Sequence, residues 1–128
     1  MIGKIYTAEI EYYDTRAGSY SRKYRPVLII SMPLGLDNDF TVLPVSTISR
    51  ADMRDAKFDY FIEHSKYSKL TFSKDCYIRT HKQTQVHRKD LNANRCIGDL
   101  KNDYPNVFLD IMSKREEYNN MITDNAFL

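Results

Sequence analysis

The chain has 128 residues, 42% hydrophobic and 28% charged, which suits one domain over residues 1–128 with one core and excludes a disordered chain. The net charge of +2 is unevenly spread, at +3 over residues 14–25, +6 over 66–89 and −3 over 99–128, the pattern of a polyanion binder with an acidic end. Cys76 and Cys96 form no CxxC pair, no apolar stretch reaches the roughly 18 residues of a membrane span, and no signal-peptide run opens the chain. The expectation is a cytoplasmic protein with reduced thiols, no membrane contact, no metal site and no cofactor.

Residues 2–13 alternate, with Ile2, Tyr6, Ala8, Ile10 and Tyr12 on one face and Thr7, Glu9 and Glu11 on the other, which predicts a half-buried strand. A polar loop is expected over 14–24. Pro26 then opens a second strand through Val27, Leu28, Ile29 and Ile30, an unbroken apolar run that predicts burial on both faces. Residues 32–39 read as a turn and 40–49 as a third strand, where Pro44 implies an edge or a bulge. Residues 48–56 suit a loop or one helical turn. Further strands are expected at 58–63, 76–81 and 83–88, and a short helical turn in R-K-D-L-N-A. The last element is a helix from Pro105, capped by Asp103, with Phe108, Ile111, Met112, Arg115, Tyr118 and Ile122 along one stripe. Short strands with regular turns followed by one helix predict a mainly β fold, a small barrel packed by a C-terminal α-helix.

Three blocks carry a family resemblance. Y-R-P-V-L-I-I-S at 24–31, T-V-L-P-V-S-T at 41–47 and C-Y-I-R-T-H-K-Q-T-Q-V-H-R-K-D-L at 76–91 follow one another as in the PemK/MazF toxins of toxin–antitoxin pairs, and I-G-D-L at 97–100 is similar too. The resemblance implies an SH3-like barrel of the CcdB/PemK/MazF type and a homodimer. It further implies metal-independent cleavage of single-stranded RNA, including mRNA, and a cognate antitoxin. In that chemistry the ribose 2′-hydroxyl attacks the adjacent phosphate, giving a 2′,3′-cyclic phosphate and a 5′-hydroxyl. The site needs a base, an acid and donors for the charged phosphorane.

Arg25 matches the family's catalytic Arg before Pro, and a guanidinium supplies planar, permanently charged donors to phosphate oxygens. Arg79 and His81, two apart on an expected strand, share a face. Arg79 matches the family, whereas His81 stands where one branch has an acidic residue. A neutral imidazole can take the 2′-hydroxyl proton, and Arg79 and Lys82 nearby favour that neutral form. Either Ser46 or Thr47 matches the family's site hydroxyl. For RNA contact, Arg16, Tyr20, Arg22 and Lys23 interleave charge and ring in what resembles the family's mobile first loop, with Tyr77 and Lys82 as further candidates. Two other functions fit the same chain: a non-catalytic toxin of this fold acting on a protein such as gyrase, and a plain nucleic-acid-binding barrel. Convergence of Arg25, Arg79 and His81 would favour the nuclease.

Overall fold

A computed structural model describes residues 1–128. Seven strands form one curled, half-barrel antiparallel sheet, and a C-terminal helix packs on it, so the mainly β expectation holds. The strands are β1 (Lys4–Asp14), β2 (Ser19–Ser31), β3 (Asp39–Ser46), β4 (Asp59–Ile62), β5 (Cys76–Arg79), β6 (Thr84–His87) and β7 (Leu91–Asp99), followed by helices α1 (Leu100–Asp103) and α2 (Pro105–Ala126). Their order in space is β4-β5-β3-β2-β1-β7, with β6 also paired to β3. No helix is long and apolar enough to cross a membrane.

The segment expected as a loop over 14–24 is mostly strand. β1 and β2 pair in unbroken register from Ile5↔Leu28 to Asp14↔Ser19, and the turn is confined to residues 15–18. The Asp14 carboxylate accepts the backbone N–H groups of Arg16 and Ala17, and Gly18 takes a left-handed φ of 66° that closes the hairpin. Polar residues at 19–24 did not prevent a strand, because pairing with β1 supplies every ladder bond there.

Pro44 does not mark an edge, since β3 is internal. On the side away from β2, β3 pairs with β6 through Asp39–Val42 and with β5 through Val45 and Ser46. Pro44 lies where one partner gives way to the other, so its missing N–H costs no ladder bond on that side.

The run Val27, Leu28, Ile29 is fully buried on alternate faces, as its continuity implied. Leu28 joins Ile5, Leu43, Val45, Ile62, Ile78, Leu100 and Ile111 in the core beneath the helices. Val27 and Ile29 join Tyr6, Ala8, Phe40, Val42 and Val86 in a second core across the sheet. Ile111 is the only fully buried residue of α2, while Ile122 at the far end of the stripe is half exposed.

Two terminal features depart from expectation. The helical turn foreseen at R-K-D-L-N-A is only a 3-10 turn at Arg88–Asp90, after which the chain enters β7. Asp103 closes α1 rather than capping α2, which begins at Pro105 with no side-chain cap; the capping carboxylate in this region is Asp99, which caps α1 by accepting the N–H of Asn102 at 3.2 Å.

Candidate active site

Strand alternation assembles the site. On β2, Arg25 shares a face with Val27 and Ile29, beyond the end of the second core, and its Nη1 donates to Ser46 Oγ at 3.2 Å. Ser46 is the last residue of β3, in register with Tyr77 of β5. Two residues along β5 stands Arg79, which pairs with Asp59 of β4. Arg25 and Ser46 thus meet directly, and Ser46 and Arg79 border one shallow cavity of about 230 Å³ with Ile48, Ser49, Arg50 and Met53. Ile48, just past Ser46, holds a φ of 31°, a strained setting for a β-branched residue.

The two arginines differ in what neutralises them. Arg79 donates from Nε to Asp59 Oδ1 at 3.0 Å and from Nη2 to Oδ2 at 3.4 Å. A third bond runs from Nη2 to the Met53 carbonyl at 3.2 Å. Its Nη1 has no hydrogen-bond partner in the protein. Arg25 has no carboxylate partner at all, and is half-buried. Burial and the nearby Arg79 charge pull its pKa below the ordinary arginine value, while Tyr12 acts in the opposite direction. A partly desolvated cation facing another cation is a standing invitation to an anion.

His81 lies beyond the end of β5, so it does not share a strand face with Arg79 as the two-residue spacing implied. It is linked to Arg79 by another route, through Asp59, and it does not border the cavity that Ser46 lines. Its Nδ1 is buried, without a hydrogen-bond partner, 3.8 Å from Asp59 Oδ1. The ring packs beside Phe58 and Tyr118. Its side chain is 9% exposed, and it borders a second cavity of about 400 Å³ with Asp52, Met53, Arg54, Asp55, Arg79 and Lys82. Burial lowers its pKa most, with Arg79 and Lys82 adding to the effect and Asp59 and Asp55 opposing it. Arg79 and Met53 line both cavities.

Thr47 is exposed and lines a further cavity of about 140 Å³ with Phe72, Ser73 and Lys74, which Ser46 borders as well. Of the two hydroxyls left open by the sequence, only Ser46 touches Arg25.

The basic residues of the first hairpin split by strand phase. Lys23, in phase with Arg25, holds its Nζ 4.5 Å from the centre of the Tyr12 ring, and the Arg25 guanidinium lies 5.9 Å from the same ring. Burial and Arg25 lower the pKa of Lys23. Arg22, out of phase, is committed elsewhere: it pairs with Glu9 at 3.1 Å and Asp90 at 3.3 Å. Arg16 and Tyr20 sit exposed at the hairpin tip, where Tyr20 meets Tyr13 edge-on. The Tyr77 ring already carries Arg54 at 5.0 Å and Phe61 at 5.2 Å, so a stacking base would have to displace the arginine.

Asp59, Tyr12 and Arg54 were not foreseen from sequence. The one available signal for Asp59 was a carboxylate inside F-D-Y-F-I, where aromatic neighbours make a solvated acid unusual.

No curated protein matches the chain. A family model described as the PemK-like, MazF-like toxin of type II toxin–antitoxin systems matches residues 2–106, from just before β1 to the first turn of α2. The half-barrel and that match over most of the chain establish that the protein belongs to the PemK/MazF-like toxin family.

Proposed function

We propose that the protein is a cytoplasmic endoribonuclease toxin that cleaves single-stranded RNA, mRNA included, without a metal ion. The observation that carries this reading is Arg25, a half-buried cation with no carboxylate, bonded to Ser46 near a second arginine whose Nη1 is unused. A phosphodiester seated between them brings the single counter-charge that Arg25 lacks, taking bidentate donation from Arg25 and a further bond from the free Nη1 of Arg79.

In the proposed reaction these residues divide the roles. The ribose 2′-oxygen attacks phosphorus, and its proton passes to His81, whose neutral form burial favours. Charge growing on the phosphorane oxygens meets Arg25 and Ser46. The bond from phosphorus to the 5′-oxygen breaks, and Arg79 Nη1 stabilises the departing oxygen until it takes a proton from solvent. The ends are a 2′,3′-cyclic phosphate and a 5′-hydroxyl.

RNA flanking the site would follow Lys23 and the hairpin tip, with phosphates on Lys23 and Arg16 and a base on the open ring of Tyr20. Lys82 extends the basic line on the far side of Arg79. As a type II toxin the chain has a cognate antitoxin, and an acidic antitoxin segment laid along this line would block it in a salt-dependent way. The active form is a homodimer.

The test is single-turnover cleavage of an RNA oligonucleotide beside the same sequence with 2′-deoxyribose throughout. RNA should be cut, and the deoxy strand should bind yet stay whole. Cleavage of both would refute 2′-hydroxyl attack, and binding without cleavage of either would leave a nucleic-acid-binding barrel.

A further inference from the structure

Asp59 has no role in the chemistry above, yet it is the most buried charged side chain near the site, 1% exposed. Burying a carboxylate with a guanidinium carries a large desolvation cost, and apolar residues in their place are often as stable. Stability alone does not account for it.

Its contacts do. Oδ2 accepts the Asp55 N–H at 2.7 Å, which ties the carboxylate to the backbone turn before β4. The two oxygens hold Arg79 through Nε and Nη2, and the Met53 carbonyl takes a second Nη2 bond. The one edge of Arg79 left free is Nη1. Asp59 therefore fixes which edge of the guanidinium stays free where Arg79 lines the two cavities, one of them bordered by Ser46.

The orphaned His81 Nδ1 points to the same carboxylate. It is buried from water, and Asp59 Oδ1 at 3.8 Å is the acceptor it faces. A proton on Nδ1 is stabilised by that anion, and a lone pair on Nδ1 is repelled by it. A carboxylate in this position selects the Nδ1–H tautomer and leaves Nε2 with the lone pair.

We propose that Asp59 is the positioning residue of this site, orienting Arg79 through Nε and Nη2 and holding His81 as the Nδ1–H tautomer, so that Nε2 is the basic nitrogen. This rests on the endoribonuclease reading. It needs no contact between Asp59 and RNA.

Two measurements test it. Long-range proton–nitrogen correlation on the free wild-type protein reads the His81 tautomer without any substrate, and the Nδ1–H form is expected. A dominant Nε2–H form overturns the proposal. Single-turnover kinetics then compare wild type, Asp59→Asn, Arg79→Met and the double variant, with melting curves to confirm folding. Asp59→Asn should slow cleavage at saturating protein by tenfold or more with little change in half-saturation, and should shift the tautomer balance. Added to Arg79→Met it should cost less than it does alone, because one of its two effects is already gone. Wild-type cleavage matched by Asp59→Asn overturns the positioning role alone. A wild-type chain that cuts no RNA overturns that role together with the endoribonuclease reading, while the tautomer result still reports the Asp59–His81 contact.

Discussion

Arg25→Met separates the cost of a residue to the fold from its worth to the reaction. Methionine keeps a long apolar stem against Tyr12 and removes the charge. The fold loses one hydrogen bond, Arg25 Nη1 to Ser46, a loss of about 0.5–1.5 kcal/mol. It gains relief from the burial of an unpaired cation and from the repulsion by Arg79, the influences that lower the Arg25 pKa. No ion pair is broken. These opposed effects leave stability within about 1 kcal/mol of wild type. Catalysis should fare differently. Removing a fixed donor to developing oxyanion charge costs about 10²–10³-fold, or about 2.7–4 kcal/mol of barrier. Arg25→Lys, which keeps the charge without the planar fork, should fall between. Urea melts and single-turnover cleavage on the same preparations provide both numbers. A methionine variant that cleaves within tenfold of wild type, or that loses more than about 2 kcal/mol of stability, would refute the reasoning.

Three further outcomes are expected. His81 has its pKa below the ordinary 6.5 when folded, so the unfolded chain binds that proton first and stability falls as pH drops below about 6.5. Asp55 and Asp75, held below 3.8 by hydrogen bonds, lose their contribution only at more acid pH; urea melts from pH 7 to 5 should therefore flatten in His81→Asn, and an unchanged slope would count against the burial argument. Burial pushes the Cys76 thiol up to about 12, so an alkylating reagent at pH 8 should label the exposed Cys96 and spare Cys76 in the folded protein, as read by peptide mass. Light scattering at tens of micromolar should give twice the chain mass, and a monomer there would remove the homodimer from the account.

Much of this was legible in the sequence where a residue's environment is set by its own strand. Alternation located β1, the apolar run located β2, and Arg25 lay at the edge of that run with its chemistry visible. Ser46 and Thr47 could not be told apart because β3 is apolar on both faces: Val42 belongs to one core, and Leu43 and Val45 to the other. No polar–apolar contrast marks which face carries the site. β7 escaped notice because residues 92–96 are polar or exposed. It is a strand through its pairing with β1, across two register shifts, and pairing with a distant partner leaves no local pattern. Asp59 was hidden for a related reason. Alternation assigns it to the outer face of β4, opposite Phe58, Tyr60 and Ile62. That face is covered by Arg79, from a segment 20 residues away.

The central claim is tested most directly by incubating the purified chain with a mixed single-stranded RNA in EDTA and determining the chemistry of the new ends. The account predicts cleavage that persists under chelation, with 2′,3′-cyclic phosphate and 5′-hydroxyl termini. Intact RNA, or 5′-phosphate ends that appear only when a divalent ion is restored, would contradict it.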